Sequence, residues 1–159
     1  MNDAPAGGHA ILTMLQAFIW FDEGLQSYIR SRGWPEITRP QSMLMANLAL
    51  GVNRPADIAR KLGVTRQMIH VTLNQMASMG VLALVDSPED RRAKIVVLTP
   101  SGEKMRRDAQ TAMRLMIEEL TRRIGAKAVE RIIDARIEDW GESIRFDPPT
   151  KRPTKRARE

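Results

Sequence analysis

The sequence has no cysteine. Disulfides, thiolate redox sensing and cysteine-based zinc sites are thereby excluded. Histidine is scarce as well. His9 and His70 lie too far apart in the chain to suggest a metal site. No run approaches the roughly 18 consecutive apolar residues of a membrane span. The opening MNDAPAGGHA lacks the positive region of a signal peptide, and the apolar stretch after it is interrupted by Thr13 and Gln16 and ends in Asp22–Glu23. A cytoplasmic location and no membrane partner are expected. Catalytic signatures are missing too. There is no P-loop, no G-x-G-x-x-G, no nucleophile elbow and no cluster of His, Asp and Glu at catalytic spacing. We therefore expect neither an enzyme nor a bound cofactor or metal.

What the sequence does have is positive charge, unevenly placed. The net charge is +6 over 159 residues. By segment it is −1 for residues 1–53, +3 for 54–94, 0 for 95–150 and +4 for 151–159. A basic balance points to an acidic partner, and its location matters more than its sum. The excess sits in one central segment and in the proline-rich tail FDPPTKRPTKRARE. Residues 147–159 are expected to be a disordered basic tail. Such a tail can bind phosphates without sequence preference or merely aid solubility. The length suits a single domain, residues 1–159.

Ile11, Leu15, Phe18, Leu25 and Ile29 recur at helical spacing, with a gap at Asp22, and predict a helix over 11–31. Gly33–Trp34–Pro35 ends it. Thr38, with Gln41 three residues on, forms a capping box for a second helix that Gly51 stops. A third helix runs 55–62 from a favoured N-terminal proline, and Gly63 closes it. Thr65 caps a fourth, 66–79. VLALV (81–85) and KIVVL (94–98) flank the turn-rich DSPEDRRA and predict a β-hairpin. A fifth helix is expected over 100–124, with Met105, Ala109, Met113, Met116, Leu120 and Ile124 on its buried face. A sixth, 127–140, carries Val129, Ile133, Ile137 and Trp140.

Ala59, Gly63 and Ile69 fall at relative positions 0, +4 and +10, the spacing of a helix-turn-helix. The first must be small where two helices cross. The second needs a positive φ, which glycine tolerates. The third packs one helix on the other. Arg66, Gln67, His70, Val71 and Asn74 then face outward near a helix N-terminus, where base edges are read. Gln and Asn pair with adenine, Arg with guanine, and Val71 can only touch a thymine methyl. Arg91, Arg92 and Lys94 lie at or beside the hairpin tip, which suits a minor groove. Asp90 beside them is expected to hold an arginine by a charge-assisted pair. Helix-turn-helix spacing also occurs in domains that bind nothing, and a basic hairpin is often a solvated turn. Their juxtaposition with the charge excess favours DNA. A pH switch at His70 is weighed against a simple groove-facing role, and the latter is preferred.

The segments ITRPQSMLMANLA (37–49), DIARKLGVTRQMI (57–69) and MGVLALVDSPEDRRAKIVVLTPSGE (79–103) resemble the multiple antibiotic resistance regulator (MarR) family of bacterial transcription factors. The wing pattern matches at Asp86, Asp90, Arg92, Val96, Leu98, Thr99 and Gly102. The resemblance covers roughly residues 10–142. It implies a mainly α fold with a small β-hairpin wing: a winged helix-turn-helix lobe (38–99) with N- and C-terminal dimerisation helices (10–36 and 100–142). It also implies a homodimer with recognition helices in successive major grooves. Thr65, Arg66, Gln67, His70 and Asn74 match recognition-helix contacts, Arg92 the wing arginine, and Asp90 the acid that orients it. Val71 departs from the arginine frequent in relatives. Members commonly repress their own operon and leave DNA on binding a small aromatic acid or xenobiotic. A pocket for such an effector is expected to involve Trp20, Tyr28, Trp34, Met43 and Met113, against the plainer reading of these residues as core and interface packing.

The resulting expectation is a homodimeric, sequence-specific regulator of double-stranded DNA, a repressor released by a small molecule. Its operator would be a pseudo-palindrome with half-sites roughly 34–36 Å apart. The alternative is a winged-helix protein-interaction module or a sequence-nonspecific architectural DNA binder.

Overall fold

The computed structural model describes residues 6–90 and 92–134. Six helices and one hairpin follow in the order α1 (Ala6–Ser31), α2 (Arg39–Ala49), α3 (Pro55–Leu62), α4 (Arg66–Ser78), β1 (Leu82–Asp86), β2 (Lys94–Leu98), α5 (Pro100–Ile124) and α6 (Ala126–Asp134). The fold is mainly α with a two-stranded antiparallel wing. None of the described helices is long and apolar enough to cross a membrane.

Local chemistry explains the boundaries. Gln41 Oε1 accepts the backbone N–H of Thr38 at 2.9 Å, which caps the start of α2. Thr65 Oγ1 accepts from the Met68 amide at 3.2 Å and does the same for α4. Gly63 ends α3 with a φ of 64°, the left-handed conformation that L side chains resist. The Val64 amide then bonds the Ala59 carbonyl at 3.1 Å, closing the tight turn into α4. Several boundaries differ from the sequence reading, α4 ending at Ser78 rather than 79 and α6 beginning at Ala126 rather than 127. α1 begins five residues before Ile11, because Ala6–Ala10 continue the helix without contributing to the apolar period. The wing starts at Leu82 rather than Val81, since the Val81 amide is still turned back to the Met76 carbonyl at 3.3 Å. Ile137 and Trp140, expected on the sixth helix, lie outside the described residues, as does the basic tail.

The core sits in the lobe built by α2, α3, α4 and the wing. Leu44, Ile58, Leu73, Met76, Val81 and Leu82 are shut off from solvent there. The wing is bound to this core at the middle of β2 and at the base where β2 ends. The Val96 amide donates to the Asn53 carbonyl at 2.8 Å, fastening β2 ahead of α3. Thr99 Oγ1 donates to the Gly80 carbonyl at 2.5 Å and accepts from the Gly102 amide at 3.0 Å. One hydroxyl thus joins the α4–β1 turn to the first turn of α5. Gly102 lies so close to the Val81 carbonyl oxygen that a Cβ there would overlap it. Glycine is needed for this approach, although its own φ is not positive.

α1 packs along α5, and α6 folds back on α5. Polar links join this helical part to the lobe. Arg39 on α2 pairs with the buried Asp22 on α1 at 3.0 Å, which accounts for the gap in the apolar period of α1. Trp34 Nε1 donates to Asp108 Oδ2 on α5 at 2.7 Å. Other apolar residues expected to be buried are bare. Ile11, Leu15 and Phe18 on α1 are 69%, 53% and 41% exposed. Met113 and Ile124 on α5 and Ile133 on α6 are exposed too, so the expected buried face of α5 is only partly covered within one chain.

Candidate nucleic-acid interface

α4 is two-faced. Ile69, Leu73 and Met76 are buried against the lobe, one helical turn apart. Arg66, Gln67, His70, Val71 and Asn74 all lie on the exposed side. Thr65 precedes them, its oxygen engaged in the cap while its hydroxyl proton stays available to donate. Met68 is 55% exposed on the same surface. The sequence reading missed it because methionine carries no polar signal, and only its position on the helix wheel places it outward.

The tertiary fold brings separate sequence segments to one place. A cleft of about 430 Å³ is lined by Arg54 just before α3, Asp57 from α3, Arg66 and His70 from α4, and Lys94 from the wing. The recognition-helix start and the wing base therefore share a basic recess. Arg54 was not anticipated. It stands just ahead of α3 and reaches Glu89 of the wing at 3.0 Å. No local motif marks it, since its partner lies 35 residues away.

The wing differs from expectation in its acids. Asp90 Oδ1 accepts the backbone amide of Arg92 at 2.9 Å, an Asx turn, rather than a guanidinium. The Ala93 amide bonds the Asp90 carbonyl, also at 2.9 Å, so both oxygens shape the tip. With Arg92 the carboxylate thus meets the backbone amide, because the turn places that amide within its reach. Arg92 is left exposed at the tip. Lys94 faces Asp86 across the ladder and pairs with it at 2.6 Å, so its charge is partly neutralised. Arg91 lies outside the described residues.

A second, larger cavity of about 700 Å³ lies between α1, α2, α5 and β2. Of the five residues expected around an effector, only Met113 lines it. Trp20 instead meets Phe21 edge-on at 4.9 Å, with the Arg123 guanidinium 5.9 Å from its ring centre. Trp34 is held by Asp108. Tyr28 is half-buried on α1 and Met43 is exposed on α2, both off the cavity wall. The residues that do line it include Gln26, Ser42, Met45, Met105 and Arg106, which come from three helices and share no sequence motif. Among the described residues no group of three or more His, Asp or Glu could hold a metal ion.

Residues 36–93, which include α2, α3, α4 and β1, match the model of the MarR family. The chain carries a MarR-family winged helix. Solved structures agree on the fold across most of the chain. RV1404 from Mycobacterium tuberculosis superposes with a TM-score of 0.67 at 20% identity, covering 89% of this chain and 98% of that one. The PcaV transcriptional regulator from Streptomyces coelicolor, in complex with its natural ligand, gives 0.58 at 21% identity, with 89% and 98% covered. A variant of MepR from S. aureus, bound to an oligodeoxyribonucleotide, gives 0.52 at 18% identity, with 79% and 91% covered. At such identities the likeness is one of fold. No curated protein matches the sequence.

Proposed function

We propose that this MarR-family regulator is a cytoplasmic homodimer that represses transcription from a pseudo-palindromic operator and leaves it when a small molecule binds. The observation that carries the reading is α4. Its buried side is apolar, while Arg66, Gln67, His70, Val71 and Asn74 stand exposed together beside the basic recess of Arg54 and Lys94. This is a surface for a major groove, with the wing arginine beyond it for the adjacent backbone or minor groove. The bare apolar residues of α1 supply the dimer. Ile11, Met14, Leu15 and Phe18 recur at spacings of three and four along one exposed face. Burying that stripe against a second copy would set two lobes apart by a spacing that the helices define.

The cavity supports the release step. It lies where α1 and α5 meet the lobe, so an occupant there touches both parts at once. An occupant that favours one relative placement would disfavour DNA by the same coupling, on the order of 1–3 kcal/mol. The ligand in PcaV and the DNA in MepR show that relatives of this fold take both kinds of partner.

The test is selection of bound fragments from random double-stranded DNA, followed by sequencing. A two-fold symmetric motif is the expected result. Binding without enrichment would mark a sequence-blind architectural binder, and no DNA binding would mark a protein-interaction module. Either outcome removes the proposal.

A further inference from the structure

The side-chain amide of Gln75 on α4 is set in one orientation by bonds that start at α2. The Thr38 amide donates to Gln41 Oε1 at 2.9 Å. Gln41 is buried, so its own amide cannot turn over without leaving that N–H unpaired. Its Nε2 is therefore obliged to donate, and it does so to Gln75 Oε1 at 3.3 Å. The acceptor end of Gln75 is thereby turned towards α2. Its Nε2 bonds no other group among the described residues and is the end left for an outside partner. A glutamine free to rotate offers a base either a donor or an acceptor. Gln75, held in this way, offers donors.

Two bare apolar side chains accompany it. Residues 68, 71 and 75 are spaced by three and four, so they form one stripe along α4. Met68 is 55% exposed and Val71 51%, and Gln75 is exposed as well. Apolar surface left in water is unfavourable, and a partner that covers it recovers free energy. In a major groove the apolar group on offer is the C5-methyl of a pyrimidine. Thymine carries that methyl, and so does 5-methylcytosine, but they differ beside it. Thymine presents the O4 acceptor and a cytosine the N4 amino donor. A donor amide matches the first. It meets the second donor to donor, leaving both groups unpaired.

We propose that Met68, Val71 and Gln75 form a thymine-reading stripe. The apolar side chains cover the C5-methyl, Gln75 Nε2 donates to O4, and Gln41 is the positioning residue that fixes the amide. This rests on the operator reading above and names a base that the operator must contain. It also separates Gln75 from the adenine pairing open to Gln67 and Asn74, which needs an acceptor as well as a donor.

The test uses the full chain and the symmetric motif selected from random DNA, with binding read by fluorescence anisotropy. Each thymine of a half-site is replaced in turn by uracil, which removes the methyl alone. Each is also replaced by 5-methylcytosine paired with guanine, which keeps the methyl and exchanges O4 for an amino group. At one or more thymines, uracil should weaken binding by about three- to fivefold. At the same positions 5-methylcytosine should weaken it by about tenfold or more. The double variant Met68→Ala, Val71→Ala should bring the uracil effect below about twofold. Gln75→Glu, which presents an acceptor, should shrink the preference for thymine over 5-methylcytosine by about tenfold. Gln41→Glu keeps an acceptor for the Thr38 amide and loses the donor to Gln75. It should shrink the same preference while leaving the uracil effect in place, which a merely structural role would not do. No uracil effect at any position, or one unaltered in the double variant, would overturn the methyl contact. A preference unmoved by Gln75→Glu would overturn the role of the amide. A selected motif lacking such a thymine removes the stripe and leaves the operator reading standing, whereas the absence of any motif removes both.

Discussion

Arg92 stands at the wing tip because Asp90 bonds its amide and leaves its guanidinium exposed. Arg92→Ala should weaken operator binding and reduce the salt slope by about one unit, read as log affinity against log salt concentration. Unchanged affinity would take the wing out of the mechanism. Lys94 should matter less than its position suggests, because Asp86 already holds it. Asn74, exposed on α4, is argued differently. Asn74→Ala should alter which bases are preferred at one operator position by about 1–3 kcal/mol. A uniform loss across all sequences would show that it merely positions the helix. The outward placement of these residues was readable from residue type and helical spacing. Met68 and Arg54 were not, because one carries no polar signal and the other depends on a partner distant in sequence.

The elements are joined at a few tight places. Gly102 lets α5 start against the Val81 carbonyl, and Thr99 bonds both sides of that junction. Gly102→Ala should therefore destabilise the fold by about 1–3 kcal/mol through forced backbone movement. A chemical-denaturation midpoint equal to wild type would show that the corner can relax. On the exposed side of α5, Glu119 accepts from Arg122 at 2.8 and 2.7 Å and from Arg123 at 2.5 Å. These bonds hold its carboxyl below the ordinary 4.5, at about 2, and raise the affinity of Arg122 for its proton. The native state thus favours the charged form. Its stabilising effect is present above pH 4.5 and is lost as pH falls towards 2. Glu119→Gln should consequently differ from wild type in thermal midpoint above pH 4.5, with the gap closing on acidification. A gap independent of pH would assign the effect to shape rather than charge.

At the scale of the whole molecule, one chain leaves an apolar stripe uncovered. Ile11, Met14, Leu15 and Phe18 form one side of α1, and α6 adds exposed Ile132 and Ile133. Large bare apolar patches mark association surfaces. On the proposed dimer interface, Leu15→Asp should leave the 18.0 kDa chain monomeric in sedimentation experiments. It should also lower operator affinity, since in the proposed dimer each lobe reads one half-site. A variant that stays dimeric would move the interface elsewhere. Helical periodicity marked these residues as apolar, yet could not say whether their cover comes from the same chain. Met113 and Ile124 show the difference: they fit the expected buried face of α5 and are nevertheless exposed.

The sequence by itself determined the local grammar of this protein. The Thr38–Gln41 cap, the Gly63 turn, the polar face of α4 and the paired strands of the wing all depend on residues a few positions apart, where backbone geometry dictates the outcome. The helix-turn-helix and its basic wing could be read for that reason. Only the tertiary structure decided which distant residues meet. It set Arg54 beside the wing, turned Asp90 towards an amide, spent Trp34 on Asp108, and enclosed a cavity around Gln26 and Ser42. Those arrangements depend on how helices pack across the chain, where no short-range spacing in the sequence records the contact.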